Sequence, residues 1–206
     1  MTVAQGFDGD ITHQGPWRYA LDFIRTDKEF SYRDQGAQLT DFLAFDQPVV
    51  SPAWGRVAAC RDDIADNLPG TMNLIENWGN YVLIDIGGGL CILLAHLRQC
   101  SLHVSRGWTV TPGTPIARCG NSGRSAQPHL HLHVMDGRDP LASDGLPYVF
   151  DDFTVTAVDE VGTADFDRAE ATGSPLTLTP RSPPLHQRGR LPLDLSVVRW
   201  ADAPPP

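Results

Sequence analysis

The sequence predicts an all-β fold of short antiparallel strands, followed by a proline-rich extension at the carboxyl end. Short runs of β-branched and other apolar residues recur along the chain, and glycine or proline turns separate them. No window of eleven or more residues shows a clean helical period, and the stretch 37–45 is the one weak helical candidate. A chain of 206 residues can bury a sizeable core in one domain and still carry an appended segment.

The predicted strands are short and follow one another closely. The segments 81–86 and 90–96 flank three glycines, which predicts a hairpin. A turn at 51–54 joins two earlier strands, and a turn at 120–123 precedes the last one. In order, the predicted strands are 18–24, 48–50, 55–59, 81–86, 90–96, 109–110, 115–118 and 129–134.

Two polar stretches without alternation, 26–45 and 62–71, have the character of insertions that form lids or walls. Near the carboxyl end, 173–189 is rich in proline, serine and threonine and is expected to be extended or disordered. The segment 191–200 is a candidate for one more edge strand. The sequence therefore predicts a domain at 1–155 and an extension at 156–206.

Charge and hydropathy exclude several classes of function. The net charge of −9 argues against a nucleic-acid partner, which would favour a basic surface. No run of about 18 apolar residues is present to span a membrane. The amino-terminal residues show neither the basic nor the apolar region of a secretory signal.

The four cysteines have no C-x-x-C spacing, which argues against a four-cysteine zinc site. Cys91 lies in an apolar run and is expected to be a buried thiol. One or two disulfides stay open, and the sequence does not choose among the three full pairings. The cysteines are Cys60, Cys91, Cys100 and Cys119.

Three histidines alternate with apolar residues in the segment Pro-His-Leu-His-Leu-His-Val at 128–134. Because side chains alternate along a strand, His129, His131 and His133 are expected to share one face. A neutral imidazole is a common zinc ligand, and a second one beside it can transfer protons. A catalytic zinc takes three protein ligands and a water, whose pKa it lowers towards about 7. The pattern predicts a zinc-dependent hydrolase.

Further candidates lie upstream. His13, Asp22 and His131 can supply two nitrogens and a carboxylate to a metal. His96 and His129 can supply a base and a hydrogen-bond donor for the oxyanion. Arg124 and Ser125, on the turn before the last strand, are candidates for substrate contact, whereas His103 and His186 are expected on the surface.

The same motifs occur in the order of a known family. Pro128-His-Leu-His131, preceded by Gly120–Ser125, closely resembles the terminal motif of lysostaphin-type (LytM-like) zinc metallopeptidases. Ala95-His-Leu97 resembles their upstream histidine motif, and 48–57 resembles the hairpin after their first zinc ligands. The resemblance covers about residues 10–150. It implies the β-sandwich-like duplicated hybrid motif fold, with Zn²⁺ as cofactor.

The resemblance also implies roles for single residues. It makes His13, Asp22 and His131 the zinc ligands and His96 and His129 the catalytic residues. The implied function is a zinc-dependent metallo-endopeptidase that hydrolyses peptide bonds, with bacterial peptidoglycan as the substrate class. The implied location is extracytoplasmic, periplasmic or secreted. Neither the bond cleaved nor the oligomeric state follows from the sequence.

One departure from the family pattern concerns the first two ligands. The family usually has three residues between its first histidine and aspartate, whereas eight separate His13 from Asp22. Gly15-Pro16 is a turn signal that can double the chain back. A shifted register that uses His131 and His133 stays open, although Pro128 favours the first register. His133 has no matching role in the family, which predicts a supporting or structural role.

Two other functions compete with the peptidase. A catalytically inactive LytM-like binding or regulatory module would keep the fold without turnover, but this chain has candidates for all five positions. A phosphocarrier of the sugar phosphotransferase type has a similar β-architecture and paired histidines. Asp22 and the H-x-H strand fit that alternative poorly.

Overall fold

The computed structural model describes residues 1–9, 12–27, 29–172 and 174–200. Within them the chain forms thirteen β-strands and one α-helix, α1 at Thr163–Thr172. Residues 201–206, at the end of the predicted extension, and Gly173, at the start of its proline-rich stretch, lie outside the described residues. The strands are β1 (Thr2–Gln5), β2 (Leu21–Ile24), β3 (Pro48–Val50), β4 (Gly55–Arg61), β5 (Asn80–Gly87), β6 (Leu90–Leu97), β7 (Thr109–Val110), β8 (Pro115–Arg118), β9 (Leu130–Met135), β10 (Gly145–Leu146), β11 (Phe150–Asp159), β12 (Leu178–Arg190) and β13 (Ser196–Arg199).

The strands form two antiparallel sheets, which confirms the predicted all-β fold class. Eleven strands build the larger sheet in the order β12-β11-β13-β1-β2-β9-β6-β5-β4-β7, with β10 paired to β9. The smaller sheet contains β3 and β8. Val49 of β3 and Ile116 of β8 pack in the same buried cluster as Val82 and Ile84 of β5. The two sheets therefore form layers around one apolar core.

The central strand β9 lies between β2 and β6, and its alternation separates core from site. Leu132 pairs in register with Leu21 on one side and Leu94 on the other, and all three pack in the main core. His131, one residue earlier, pairs with Asp22 and Ala95 and faces the opposite way. The period of two therefore buries leucines on one face and presents polar side chains on the other.

Several predicted elements are confirmed. Strands β5 and β6 form the hairpin across the three glycines, and all three glycines have positive φ. Strands β7, β8 and β9 occupy the segments in which strands were predicted. The first predicted strand is shorter than expected, because β2 begins only at Leu21 and a 3-10 turn occupies Gly15–Trp17.

Other expectations were wrong in pairing or type. Strand β3 pairs with β8 and not with β4, so the turn at 51–54 connects the two sheets instead of closing a hairpin. The weak helical candidate 37–45 contains only a 3-10 turn at Leu39–Asp41. The helix α1 and strand β1 had no clear signal in the sequence.

The carboxyl-terminal segment joins the larger sheet. Strand β13 lies between β11 and β1, so the predicted edge strand is an interior one, and the extended strand β12 forms the edge. Phe153 packs with Val155 and Val198 in a second buried cluster, and Trp200 contacts Phe23 of β2. The division into 1–155 and 156–206 stays a prediction, and its boundary falls within β11.

All four cysteines are free thiols, so the disulfides left open by the sequence do not form. Cys91 is buried as predicted. Burial also raises the pKa of Cys119 to about 12. The described part of the chain holds no helix with the length and apolar character that crossing a bilayer requires.

Candidate metal centre and active site

His13 reaches the site through a tight turn between β1 and β2. Gly15 has a φ of +57°, a left-handed conformation that suits glycine, and the 3-10 turn of residues 15–17 follows it. The chain thereby reverses before it enters β2. His13 is 1% exposed and lies beside Asp22 although eight residues separate them. The predicted doubling back is therefore present.

His13, Asp22 and His131 converge on one point. Nδ1 of His131 lies 2.8 Å from Oδ1 of Asp22, and Nε2 of His13 lies 3.2 Å from Oδ2 of the same carboxylate. One potential ligand atom from each residue lies within 4.8 Å of the others, and all three residues are buried. Within the described residues, Nε2 of His13 makes no well-aligned hydrogen bond, although the Asp22 carboxylate lies 3.2 Å away. Two imidazole nitrogens and a carboxylate oxygen form a donor set that could hold a metal ion.

Backbone carbonyls orient three of the imidazoles in the same way. In each of them Nδ1 contacts a carbonyl oxygen, so Nδ1 carries the proton and donates it. The lone pair of each ring is then on Nε2, the atom that a metal or a water molecule can approach. The three contacts are His13 to Gly6 at 2.8 Å, His96 to Ser122 at 2.9 Å and His129 to Gln127 at 2.9 Å.

His96 lies at the end of β6 in a strained backbone conformation. Its φ is +60°, which costs a residue with a side chain about 1 kcal/mol or more. Its backbone N–H donates to the carbonyl of Trp78, and its carbonyl accepts from Gly120, so both neighbours hold this geometry. The His96 ring centroid lies 4.7 Å from that of His129 and 5.7 Å from that of His131. The left-handed backbone conformation at His96 directs its side chain towards the other histidines.

The carbonyl that holds the His96 ring depends on a close backbone approach. Gly79 has a φ of +57°, and a Cβ on it would lie 2.4 Å from the carbonyl carbon of Ser122. Only glycine can therefore occupy this position without displacing Ser122. The Ser122 hydroxyl accepts from the backbone N–H of Asn80 and donates to the carbonyl of Leu97, which fixes the turn further.

Asp22 is a buried carboxylate kept ionised by its neighbours. Burial opposes the charged form, but His129 and His13 hold the pKa of Asp22 well below its usual value. Burial likewise opposes a charged His13, yet the Asp22 carboxylate raises the pKa of His13. Nε2 of His129 lies 3.6 Å from Oδ1 of Asp22. The Asp22 carboxylate is therefore the main negative group that acts on the facing imidazoles, and Asp194 adds a smaller effect that also raises the pKa of His13.

The remaining histidines of the cluster are held neutral. Burial, followed by the nearby His129 and His131, lowers the pKa of His96 well below its usual value. Burial lowers the pKa of His131 despite its hydrogen bond to Asp22. Burial, followed by the neighbouring His131, lowers the pKa of His133 to about 2. Neutral imidazoles keep the lone pair that a metal ligand or a proton acceptor needs.

His133 belongs to the cluster in a way that the sequence did not reveal. Its Nδ1 lies 2.9 Å from Nε2 of His131, on the side of that ring away from Asp22. Trp78 packs against both rings, with centroid distances of 5.3 Å to His131 and 5.4 Å to His133. The shared strand face was predictable, but the direct contact between the two rings depends on their rotamers.

The cluster opens into a groove of about 920 Å³. Residues of both predicted insertions line its walls, including Tyr32 and Phe42 from the first and Pro69 from the second. Arg124 also lines the groove with an exposed side chain. The sequence analysis did not single out several of the lining residues, among them three aromatic ones, namely Trp17, Trp78 and Phe166.

The remaining candidates from the sequence, Ser125, His103 and His186, do not contribute a ligand atom to the metal cluster. The hydroxyl of Ser125 contacts Asn121 at 2.7 Å and lies 3.2 Å from Nδ1 of His129, so Ser125 supports the turn and that ring. His103 and His186 are exposed as predicted, and His186 contacts the carboxylate of Asp152 away from the cluster.

A family model matches a little over half of the chain. The model describes peptidase family M23, and it matches residues 36–143. His96, His129 and His131 lie inside the match, whereas His13 and Asp22 lie before it. No curated protein matches the chain.

Solved structures of several peptidases are similar to the chain. A zinc-containing peptidase from Vibrio cholerae is 30% identical, with a TM-score of 0.34, over 44% of this chain and 24% of that one. A mutant catalytic domain of the prophage-encoded M23 protein EnpA from Enterococcus faecalis is 15% identical, with a TM-score of 0.45, and the match covers 71% of this chain and 87% of that one. The catalytic domain of the antimicrobial peptidase lysostaphin from Staphylococcus simulans is 17% identical, with a TM-score of 0.41, and the match covers 69% of this chain and 84% of that one. The chain thus spans about a quarter of the Vibrio peptidase.

Proposed function

The chain belongs to peptidase family M23, and from this premise we propose that it is a zinc-dependent metallo-endopeptidase that hydrolyses peptide bonds in bacterial peptidoglycan. The observation that carries the proposal is the convergence of His13, Asp22 and His131, with one ligand atom of each within 4.8 Å of the others. Nε2 of His13 is buried, makes no well-aligned hydrogen bond and lies 3.2 Å from the Asp22 carboxylate, an arrangement that suits a cation held between the two better than a purely structural role.

In this proposal His13, Asp22 and His131 hold the zinc ion. Two imidazole nitrogens and one carboxylate oxygen are a common ligand set of catalytic zinc in hydrolases. When bound, zinc would lower the pKa of a water molecule and polarise the scissile carbonyl. The carbonyl of Gly6 fixes the ring of His13, and the β2–β9 pairing fixes Asp22 against His131. The donor atoms are thus held in place before any metal arrives.

His96 and His129 are the proposed catalytic residues. Each ring has its Nδ1–H committed to a backbone carbonyl, so proton transfer must take place at Nε2. We assign His96, which burial keeps neutral, to accept a hydrogen bond from the attacking water and orient it. We assign His129 to carry the proton, since its Nε2 lies 3.6 Å from the Asp22 carboxylate.

A protonated His129 has two uses in peptide hydrolysis. Its Nε2–H can hydrogen-bond the oxyanion of the tetrahedral intermediate. It can afterwards deliver that proton to the leaving amine nitrogen, which restores the neutral ring. The groove of about 920 Å³ beside these rings is large enough for an extended peptide. A peptidoglycan substrate would place the protein outside the cytoplasmic membrane.

The proposal is tested with purified, zinc-loaded protein on isolated peptidoglycan and on defined glycine-rich and D-alanyl peptides. Mass spectrometry of the products identifies any bond that is cut. We expect cleavage that a chelator abolishes and added zinc restores. His103→Ala, at an exposed position outside the cluster, serves as the matched control and should cleave like the parent. A folded, zinc-loaded protein that cuts none of these substrates contradicts the proposal.

A further inference from the structure

The contact between His131 and His133 has a consequence for metal binding. The two side chains lie two residues apart on β9, are 5% and 1% exposed, and meet at 2.9 Å between Nε2 of His131 and Nδ1 of His133. Both nitrogens belong to neutral rings that can either donate or accept. One proton must therefore lie between them, on one ring or the other.

The position of that proton decides whether His131 can be a ligand. The nitrogen of His131 beside Asp22 is Nδ1, at 2.8 Å from the carboxylate oxygen. Nδ1 binds a cation only through its lone pair, so the proton of a neutral His131 must then be on Nε2. The group at hydrogen-bond distance from that Nε2–H is Nδ1 of His133. Without an acceptor there, the Nε2–H tautomer would bury an unsatisfied donor.

We propose that His133 is a positioning residue that accepts the Nε2–H of His131 and so holds the Nδ1 lone pair of His131 towards the metal. The inference rests on the proposed zinc site, since it concerns the ligand and not the chemistry. In this arrangement the proton of His133 lies on its own Nε2. Partners of this kind fix the tautomer and orientation of a ligating histidine and raise its basicity.

The surroundings of the pair favour a fixed geometry. Trp78 packs against both rings with interplanar angles of 45° and 50°. Leu93 of β6 is the register partner of His133, and Trp78 and Leu93 belong to the same apolar cluster. Strand β9 is paired on both sides at His131, so neither ring can shift far. A rigid element of this kind keeps a ligand within the tolerance that metal coordination needs.

An imidazole at this position can also serve the metal-free protein. Without a metal, His131 can carry its proton on Nδ1 and donate it to the Asp22 carboxylate. Nδ1 of His133 then acts as the donor to Nε2 of His131. Because a neutral histidine can either donate or accept at Nδ1, His133 can satisfy Nε2 of His131 in both the metal-bound and the metal-free protein. A carboxylate at this position could only accept while ionised.

The first test uses the unmodified protein and does not measure activity. In ¹⁵N-labelled, zinc-loaded protein, NMR is expected to show a scalar coupling across the hydrogen bond between Nε2 of His131 and Nδ1 of His133. The proton should be attached to His131. A zinc-loaded spectrum in which His131 is protonated at Nδ1, or in which no coupling to His133 is present, overturns the inference.

The second test compares zinc affinities by competition with a chromophoric chelator. His133→Leu removes the acceptor, and we expect zinc binding to weaken about 10-fold to 100-fold. His133→Asn keeps an acceptor near the place of Nδ1 and should recover most of that loss. His103→Leu removes an exposed histidine and is the matched control, with unchanged affinity expected.

Each outcome assigns the failure to one of the two proposals. Parent-like zinc affinity in a folded His133→Leu variant overturns the positioning role and leaves the peptidase proposal intact. A parent protein that binds no zinc overturns both proposals. Tight zinc binding without peptide cleavage overturns only the proposed function. If His133→Leu does not fold by circular dichroism, the NMR coupling and the Asn variant decide.

Discussion

Asp22 and His131 are register partners on neighbouring antiparallel strands, and their side chains meet at 2.8 Å although they lie 109 positions apart in the chain. The pairing of β2 with β9 therefore builds the centre of the proposed metal site. Alternation on both strands places Leu21 and Leu132 in the core at the adjacent positions. A slip of one residue would exchange core and site side chains, so the core itself secures the register.

Removal of the metal should lower the stability of the protein. Zinc that binds only the folded chain stabilises it by about 4 kcal/mol when free zinc is about 1,000 times the Kd. We expect a chelator to lower the Tm and added zinc to restore it. Asp22→Asn should abolish this zinc-dependent shift, since it removes the charged ligand. Thermal unfolding with and without zinc checks the expectation, and a zinc-dependent shift that persists in Asp22→Asn would contradict it.

Loss of a catalytic histidine should separate turnover from metal binding. His96→Ala and His129→Ala are each expected to lower kcat/KM about 10²- to 10⁴-fold, because each removes a group that handles a proton. Neither residue belongs to the three proposed ligands, so both variants should still bind one zinc per chain. Metal analysis beside the peptide assay checks this expectation. Loss of zinc from either variant would reassign that histidine to the metal.

Arg124 should contribute to substrate binding more than to chemistry. It lines the groove in a chain of net charge −9, and the described residues offer it no ion-pair partner within 4 Å. A hydrogen bond to a charged group contributes about 1.5–3 kcal/mol, so Arg124→Ala should raise KM about 10-fold or more with kcat nearly unchanged. Arg138, which pairs with Asp85 outside the groove, provides the control substitution Arg138→Ala. Equal KM values for both variants would contradict a substrate contact.

Asp165 should make stability depend on pH. The backbone N–H of Thr177 donates to its carboxylate at 2.6 Å, and Arg168 lies 2.6 Å from the other oxygen. These two partners hold the pKa of Asp165 well below its usual value. A depressed pKa stabilises the fold above the unfolded value of about 3.9, and this contribution is lost as the pH falls through the folded pKa.

Asp165→Asn tests this dependence by urea unfolding at pH 7 and pH 3. The variant should be less stable than the parent by about 1–3 kcal/mol at pH 7, because it loses a charged acceptor that Arg168 and Thr177 both bond. The difference should become smaller at pH 3, where protonation begins to weaken the parent as well. Asp151→Asn, at an exposed position on β11, is the matched control. A constant difference at both pH values would contradict the assignment.

The cysteines should differ sharply in their reactivity. The thiolate is the reactive form, and burial raises the pKa of Cys119 to about 12 and also raises that of Cys91. Cys100 is exposed. At pH 8 iodoacetamide should modify Cys100 in the folded protein and reach Cys91 and Cys119 only after unfolding. Mass spectrometry of digested protein measures this, and rapid labelling of Cys119 in the folded state would contradict its burial.

Local sequence signals located the elements that depend on neighbouring residues. Three consecutive glycines between apolar runs predicted the β5–β6 hairpin, because such a turn needs positive φ at adjacent positions. Alternation predicted that His129, His131 and His133 share a face. The turn at Gly15-Pro16 indicated how His13 returns to Asp22. In each case residues within one short segment are enough to determine its local conformation.

Contacts between distant segments were beyond such signals. The separation of β3 from β4 into different sheets depends on the packing of Val49 and Ile116 against the main core. Strand β13 is an interior strand of the larger sheet because it pairs with β1 on one side and with β11 on the other. In both cases the residues that flank the strand in sequence do not indicate which strands it pairs with. Helix α1 was missed for the same reason, since its buried Phe166 and Ala169 pack against the distant Ala4 and Ile24.

The sequence by itself determined the strand periods, the turns and the identity of the five residues proposed for metal binding and catalysis. Only the tertiary structure decided which imidazole nitrogen faces which partner, because backbone carbonyls from other segments select the protonated nitrogen of His13, His96 and His129. It also decided that His133 contacts the far side of His131. The sequence states which side chains are available, but the packing of the strands decides which way each imidazole ring points.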